Sequence, residues 1–452
     1  MKVDVLVAEI GSTTTVVNAF TGLDTDDPVF LGQGQAPTSV LEGDVTIGVN
    51  GAIEDLKDNL EVSELEWDEM HATSSAAGGL KMTVHGLVYD MTVKAAREAA
   101  LGAGAVIKEV TAGRMRKRHL KKIMEIKPNI ILLAGGVDYG EENTILDNAE
   151  MLAELELDIP IIYGGNVAIQ EDVKEILEEG GKRVIIVDNV YPNIDEFNIQ
   201  PTREVIQQVF EEHIVHAPGM GKIRDLINGP MMPTPGAVME SAQLLYKNIE
   251  DVVVLDVGGA TTDVHSVTDG TKEIQEKLVS PEPTAKRTVE GDLGVFVNAV
   301  NLVDLVGKDK VEAELDYPLD TLLAERNPIP QTDTEVELIK ILTREAVNTA
   351  VERHVGKMRD LYGPTGRVTI AEGKDLTKIK WIVGTGGALT RLEAGPEILT
   401  NLRKARTKKL LPSNNAQVLI DHDYIMASMG VMSKRFPEAA LRLILKSLNF
   451  ED

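Results

Sequence analysis

Two stretches of this sequence place a carboxylate, glycines and hydroxyl side chains within a few residues of each other. In AEIGSTTT (Ala8–Thr15) the acid is Glu9, and in LDVGGATTD (Leu255–Asp263) it is Asp256. Glycine lets the backbone approach a polyphosphate and direct N–H groups at its oxygens, and hydroxyls donate further hydrogen bonds. Carboxylates hold Mg²⁺, usually through water molecules that the ion retains. The pattern therefore predicts a site for Mg²⁺ and a polyphosphate.

Each residue type in these two corners has an expected role. Glu9 and Asp256 are expected to flank Mg²⁺, with Asp256 orienting the ion or the attacking water. Asp263 is a second candidate catalytic acid on the same hairpin, and a solvated position at the strand end is an equal alternative for it. The predicted phosphate ligands are Gly11, Ser12, Thr13, Thr14, Gly258, Gly259, Thr261 and Thr262.

A third glycine corner, IVGTGGALTRL (Ile382–Leu392), contains no acid. Its residues Gly384, Thr385, Gly386 and Gly387 suit a flat, apolar group such as an adenine with its ribose. A single glycine-rich turn after a strand is more often only a turn. Two acid–glycine–hydroxyl corners together with a third glycine corner instead predict two related halves that face each other across a nucleotide.

Other phosphate-binding patterns are absent from the sequence. No Gly-x-x-x-x-Gly-Lys-Ser/Thr occurs, and no Gly-x-Gly-x-x-Gly follows the first strand. We therefore do not expect a P-loop or a dinucleotide-binding fold.

Composition limits the possible partners. The 452 residues carry a net charge of −26, which repels nucleic acid and anionic lipid, so neither is expected as a partner. No cysteine is present, which excludes disulfides, thiolate metal sites and cysteine nucleophiles. The first apolar run is interrupted by Asp4 and Glu9 and is typical of a strand rather than a signal peptide. A cytoplasmic protein that binds ATP and Mg²⁺ is the simplest expectation.

Short apolar runs alternate with helical patterns, which predicts an α/β protein with mostly parallel sheets. A segment rich in proline and glycine, residues 216–236, separates an N-terminal half (1–235) from a C-terminal half (236–452). An extra α/β layer is expected at about 140–216. The last helices are expected to pack back on the N-terminal half. The predicted strands are Val3–Ala8, Ile130–Ala134, Ile159–Tyr163, Val184–Val187, Val252–Asp256 and Trp381–Gly384.

The three corners resemble the phosphate-1, phosphate-2 and adenosine motifs of the actin, Hsp70 and sugar-kinase ATPase superfamily. Further stretches resemble the methylaspartate (glutamate) mutase accessory proteins of the GlmL or MutL type, which are unrelated to mismatch-repair MutL. These stretches are ATSSAAGGLKM (Ala72–Met82), LAGGVDYGE (Leu133–Glu141), PTPGAV (Pro233–Val238) and EGDLGV (Glu290–Val295).

This resemblance implies two actin-like (ribonuclease H-like) ATPase domains that face a nucleotide cleft. It implies an ATPase that acts as an accessory or reactivating factor for an adenosylcobalamin-dependent mutase, by analogy with the reactivating factors of diol dehydratase. The chain departs from the superfamily pattern at Glu9, where most members have aspartate. The longer side chain still reaches a hydrated metal and suits slow turnover.

Three alternatives compete with this interpretation. A small-molecule kinase of the same superfamily would need a further catalytic acid, which the sequence does not reveal. An activator of 2-hydroxyacyl-CoA dehydratases also contains IGSTTT, but the cysteines of its iron–sulfur cluster are missing here. The third alternative is a scaffold that binds ATP without hydrolysing it. The sequence predicts neither the identity of the mutase nor the oligomeric state.

Three other segments have open interpretations. The basic run Arg114–Lys122 (RMRKRHLKK) is either a docking surface for an acidic partner or a solvated helix face. The small-residue turn Thr73–Gly79 contacts either a ligand or a neighbouring helix. The acidic segment Lys310–Glu335 is predicted to be a surface excursion.

Overall fold

The computed structural model describes residues 1–75, 80–213, 219–315, 317–327, 329–363, 366–402 and 408–450. The chain divides into two compact units. The first unit comprises Met1–Thr38, Gly48–His71 and Val238–Asp452, and the second comprises Ser39–Ile47 and Ala72–Ala237.

Strands and helices alternate along most of the chain. The strands are β1 (Lys2–Ile10), β2 (Thr14–Thr21), β3 (Val29–Pro37), β4 (Glu66–Ser74), β5 (Leu80–Gly86), β6 (Ala105–Ala112), β7 (Ile130–Leu133), β8 (Ile161–Tyr163), β9 (Val184–Ile186), β10 (Met231–Pro233), β11 (Val252–Val257), β12 (Thr262–Val267), β13 (Ala285–Glu290), β14 (Lys357–Gly363), β15 (Gly366–Glu372), β16 (Trp381–Thr385) and β17 (Gln417–Ile420). The α-helices are α1 (Val45–Asn59), α2 (Lys94–Gly102), α3 (Lys117–Ile126), α4 (Asn143–Ala153), α5 (Gln170–Glu179), α6 (Gln200–His213), α7 (Thr234–Ile249), α8 (Lys272–Gln275), α9 (Ala299–Val306), α10 (Lys308–Leu315), α11 (Leu319–Glu325), α12 (Asp333–His354), α13 (Gly387–Arg391), α14 (Gly395–Asn401), α15 (Met426–Met432) and α16 (Pro437–Ser447).

The first unit contains two sheets that are built in the same way. One has the order β4-β1-β2-β3 and the other β13-β12-β11-β16-β17. In each, three consecutive strands form an antiparallel meander. In the second sheet, β16 and β17 continue from β11 in parallel. This repeated arrangement confirms the predicted α/β class, with an antiparallel meander of three strands in each of the two sheets.

Sequence pattern explains the central strands. β1 and β11 are almost continuous apolar runs, as expected of strands that are covered on both faces. The predicted strands Val3–Ala8, Val252–Asp256 and Trp381–Gly384 correspond to β1, β11 and β16. Each of these three strands ends in one of the glycine corners.

The predicted surface excursion at Lys310–Glu335 is wrong for much of its length. The segment forms α10 and α11, and it leads into α12. Val311, Leu315 and Leu319 are buried in the apolar cluster that α12 forms with the second sheet. Their spacing of four residues is helical, but the surrounding acids and prolines obscured it.

The second unit is built around a parallel sheet of order β6-β5-β7-β8-β9. The predicted strands Ile130–Ala134, Ile159–Tyr163 and Val184–Val187 correspond to β7, β8 and β9. Helices α3, α4 and α5 contribute to the apolar cluster on one face of the sheet. The layer expected at 140–216 lies within this unit. In the described part of the chain, no helix is both long and apolar enough to cross a membrane.

Candidate functional site

The first two corners form the same backbone turn. The amide of Gly11 donates to the Thr14 carbonyl (3.0 Å), and the amide of Gly258 donates to the Thr261 carbonyl (2.9 Å). Glycine is required at the first position, because a Cβ on Gly11 would lie 2.6 Å from the Thr14 carbonyl oxygen. The two acids therefore occupy equivalent places, each two residues before the first glycine of its turn.

Strand register extends this equivalence. Glu9 is paired with Val16 across the first hairpin, and Asp256 is paired with Asp263 across the second. The sequence-predicted acids thus stand at matching positions of two matching hairpins. The first hairpin has no counterpart of Asp263.

The two turns lie against each other within the first unit. A Cβ placed on Gly259 would be 3.9 Å from the hydroxyl oxygen of Thr13. In the described part of the chain, the amides of Gly259 and Ala260 donate to no backbone carbonyl. The contact therefore brings a hydroxyl and two unused N–H donors to one place, which is the donor set that an oxyanion needs.

The end of the EGDLGV motif and the two residues after it hold the second turn in place. The amide of Val295 donates to the carbonyl of Gly258 (3.2 Å), and the amides of Phe296 and Val297 donate to that of Gly259 (2.9 and 2.7 Å). A Cβ on Gly294 would lie 2.2 Å from the carbonyl carbon of Ala260, so glycine is needed for this close approach. The carbonyls of Gly258 and Gly259 are thereby occupied, and the amides of Gly259 and Ala260 remain available.

Two predicted phosphate ligands already use their hydroxyl protons. The hydroxyl of Thr262 donates to the Leu293 carbonyl (2.7 Å), and that of Thr261 donates to Asp263 (3.1 Å). Each hydroxyl has only one proton to donate. Phosphate binding by these two side chains would cost those contacts, so the amides of the turn are the better-placed donors.

Glu9 is buried and is held by Ser428 of α15. Its Oε1 accepts from the hydroxyl of Ser428 (2.6 Å), from the amide of Ser428 (3.1 Å) and from the side chain of Asn18 (3.4 Å). The pKa of Glu9 is raised to about 8, chiefly by burial, with a contribution from the charges of Asp421 and Asp256 and against the opposing effect of the Ser428 hydroxyl. At neutral pH this carboxyl keeps its proton unless a cation displaces it.

Asp256 is half-buried and has a similarly raised pKa. The pKa of Asp256 is raised to about 7, chiefly by burial, with contributions from the charges of Asp263 and Asp421 and an opposing effect of Arg287. Two acids with raised pKa values are typical of a functional site, and in particular of a site that binds a cation.

Asp421 caps a helix. Its carboxylate accepts from the amides of Ile425 (3.1 Å) and Met426 (2.9 Å) at the start of α15, and from the hydroxyls of Thr385 (2.9 Å) and Ser447 (2.6 Å). These donors satisfy the buried carboxylate. Asp421 therefore serves the structure of α15, and its charge also acts on Glu9 and Asp256.

Asp263 forms a buried ion pair. Its Oδ1 accepts from Nε (2.9 Å) and Nη2 (2.6 Å) of Arg287, and both side chains are buried. This contact accounts for a carboxylate in the interior of the sheet. Its assignment as a catalytic acid stays a prediction.

The third corner contacts the second through Gly386. This residue has φ +84°, and a Cβ on it would lie 2.5 Å from Oδ1 of Asp256. Gly384 is packed against Leu399, 2.8 Å from where its Cβ would be, whereas nothing lies within 4 Å of a Cβ on Gly387. Of these three glycines, Gly387 is the one with open space beside its backbone.

No group of three or more histidine or acidic side chains in the described ranges could hold a metal ion. Glu9 and Asp256 would therefore act as two carboxylates for an ion whose remaining ligands are water and phosphate oxygens. That arrangement fits Mg²⁺, which retains several waters and binds with phosphate.

Sequence reasoning missed four residues of this site, namely Ser428, Asn18, Asp421 and Arg287. Asp421 precedes the N-cap position Ile425 of α15, so the usual capping signal does not identify it. The others contact the predicted acids only through the tertiary fold. Of the turn Thr73–Gly79, residues 76–79 lie outside the described residues; Thr73 and Ser74 are buried in β4, which pairs there with β10.

Comparison with known proteins gives consistent matches over almost the whole chain. The family model "MutL protein" matches residues 5–448. Protein MutL from Clostridium tetanomorphum is 37% identical over 460 residues, covering 98% of each chain. Among solved structures, a nucleotide-free diol dehydratase-reactivating factor matches with 10% identity, covering 96% of this chain and all of that one, at a TM-score of 0.41. A nucleotide-free acetone carboxylase matches with 11% identity, covering 95% of this chain and 70% of that one, at a TM-score of 0.39.

Proposed function

The chain belongs to the MutL protein family, and from this premise we propose that it is an Mg-ATP-binding accessory factor with slow ATPase activity. Its client would be an adenosylcobalamin-dependent mutase of the glutamate mutase or aminomutase type. ATP binding and hydrolysis would drive a conformational change that releases damaged cobalamin from the client. The diol dehydratase-reactivating factor among the structural matches is named for a comparable role.

A single observation carries the nucleotide part of the proposal. Two hairpins with the same turn present Glu9 and Asp256 at equivalent positions, and the turns lie against each other. Duplicate turns with equivalent acids are expected where one polyphosphate and its cation are held from two sides. A purely structural pair of turns would not need two acids with raised pKa values.

Each group in the site has a part in this mechanism. The amides of Gly259 and Ala260 and the hydroxyl of Thr13 would bind phosphate oxygens. Glu9 and Asp256 would hold Mg²⁺, which supplies positive charge against the charge of the phosphates. Asp256 would also orient the attacking water, because phosphoryl transfer needs positioning and charge neutralisation more than a strong base.

Ser428 would couple the nucleotide to the rest of the first unit. It holds Glu9 through both its hydroxyl and its amide, and it lies in α15. A cation that draws charge from Glu9 weakens these two hydrogen bonds. A shift of α15 is therefore the expected first response to nucleotide binding and hydrolysis.

The test is phosphate release from Mg-ATP with and without a purified adenosylcobalamin mutase. Wild type should release phosphate slowly, and the mutase should increase the rate. Asp256→Asn and Glu9→Gln should abolish release with little change of shape, whereas Asp304→Asn, an exposed acid in α9, should behave as wild type. ATP binding without release under any condition would instead favour a nucleotide-gated scaffold, and a phosphorylated metabolite would favour a kinase.

A further inference from the structure

Positive charge in the second unit is concentrated on α3 and the residues beside it. Residues 114–127 contain seven basic residues and one acid, Glu125. The next 86 residues, 128–213, contain 19 acids and four basic residues. A cationic patch inside so acidic a surrounding creates a local field of opposite sign.

Most of these cations face solvent without a carboxylate partner. Arg114 pairs with Asp147 at 2.8 Å, and Lys122 approaches Glu125 at 3.8 Å. The remaining five are exposed and form no ion pair with any described residue: Arg116, Lys117, Arg118, Lys121 and Lys127. The opposite side of the helix is apolar and packs through Ile123 and Leu120 against the sheet. The charges thus occupy the outward face of a helix that is well anchored.

Basic residues at the start of α3 oppose the helix dipole. Arg116 is the N-cap, Lys117 and Arg118 follow, and the first turn contains no acid. The N-terminus of a helix carries partial positive charge, so cations there are unfavourable and acids are favourable. A local arrangement that works against stability is expected where another requirement, such as binding, maintains it.

The contacts of His119 leave Arg118 unsatisfied as well. Nδ1 of His119 accepts from the amide of Arg116 (3.1 Å), while Nε of Arg118 lies 3.1 Å from Nε2 of the same ring. A neutral imidazole has one acceptor nitrogen, so it cannot accept from both donors. The exposed guanidinium of Arg118 is therefore left to bind solvent or an external anion.

We propose that the outer face of α3 is a docking surface for a short acidic segment of a partner protein. The ten residues of α3 span about 15 Å, a length that a short peptide segment can cover. A nucleic-acid duplex or a lipid surface would extend well beyond this patch and meet the rest of a chain whose net charge is −26. A compact acidic segment would not, and this difference decides the class of partner. The inference does not depend on nucleotide binding.

The test uses the full chain and a fluorescent peptide of ten glutamates. Fluorescence anisotropy at 50 and 200 mM NaCl should give an affinity that falls with salt. Lys117→Glu/Arg118→Glu/Lys121→Glu should weaken peptide binding at least tenfold. The matched control, Lys247→Glu/Lys272→Glu/Lys310→Glu, makes the same change of charge at exposed lysines elsewhere and should weaken it less than twofold.

Two further measurements keep the result unambiguous. Hydrogen exchange with the peptide bound should show protection within 116–127. The α3 variant should melt at or above the wild-type temperature, because glutamates replace cations in the first turn. The proposal is overturned by equal weakening in both variants, by protection elsewhere, by a lower melting temperature of the α3 variant, or by tighter binding of a ten-nucleotide oligo-dT or of phosphatidylserine vesicles.

Discussion

Nucleotide affinity should depend steeply on pH, because the two carboxylates proposed to hold Mg²⁺ keep their protons to unusually high pH. The pKa of Glu9 is raised to about 8 and that of Asp256 to about 7. A protonated carboxyl is a poor ligand for a cation, so each group must lose its proton as the ion binds. Affinity should therefore rise with pH, and binding below pH 7 should release protons.

The size of the effect follows from these two pKa values. At pH 6 a group with a pKa of about 8 is ionised about one time in a hundred, and one with a pKa of about 7 about one time in ten. Both are ionised in roughly one molecule in a thousand at pH 6 and in most molecules at pH 9. The affinity for Mg-nucleotide should accordingly rise roughly 1,000-fold over this range, which is about 4 kcal/mol.

Titration calorimetry with Mg²⁺ and a non-hydrolysable ATP analogue measures both quantities. Runs in two buffers of different ionisation enthalpy count the protons released, which should approach two at pH 6 beyond those from the nucleotide itself. Asp256→Asn should remove one of the two. Glu9→Gln/Asp256→Asn should retain only the titration of the nucleotide. The reasoning is refuted if wild type and this double variant show the same pH dependence.

Three further outcomes can be checked on the purified protein. Without ligands, Glu9→Gln should stabilise the protein at pH 8.5 but not at pH 4.5. The folded-state pKa of Glu9, about 8, exceeds the ordinary value of 4.5, so the contribution of Glu9 to stability is complete below pH 4.5 and is lost as pH rises through 8. The loss is at most about 5 kcal/mol. Equal denaturation midpoint shifts at both pH values would contradict this. Asp263→Asn should cost about 3–5 kcal/mol by removing the negative charge that faces the buried Arg287, and a wild-type melting temperature would argue against that pair. Gly386→Ala should disturb the second corner and abolish nucleotide binding, because Gly386 has φ +84° and its Cβ would lie 2.5 Å from the carboxylate of Asp256. Gly387→Ala should preserve the fold, because nothing lies within 4 Å of its Cβ. A near-ultraviolet circular dichroism spectrum that is unchanged in both variants would count against the expected disturbance by Gly386→Ala.

The glycine corners could be placed from sequence because their signal is local. A buried strand, an acid, a glycine and hydroxyls follow one another within eight residues, and each residue type has its own physical reason to be there. The strands β1, β11 and β16 were predictable for the same reason. The equivalence of the two turns also follows from spacing, since the acid stands two residues before the glycine in both.

The environment of the acids could not be predicted in this way. Ser428 contacts Glu9 from a small-residue helix, and nothing in the sequence around this serine indicates a partner at the other end of the chain. The ion pair of Asp263 with Arg287 depends on β12 and β13 lying side by side. Burial of α10 and α11 was missed because their apolar residues are interrupted by charges. In each case the decisive partner is chosen by tertiary packing rather than by neighbours in the sequence.

The bond between Glu9 and Ser428 also has a consequence for biosynthesis. The two residues are separated by 419 positions. At the usual pace of about 5–20 residues per second, a ribosome needs roughly 20–80 s between them. In a nascent chain with β1 and β2 already folded, the carboxyl group of Glu9 would lack the hydrogen bond that Ser428 donates. The ability to bind nucleotide should therefore appear in one step near the end of synthesis, when α15 leaves the ribosome. A chain on a ribosome stalled before that point should not bind nucleotide.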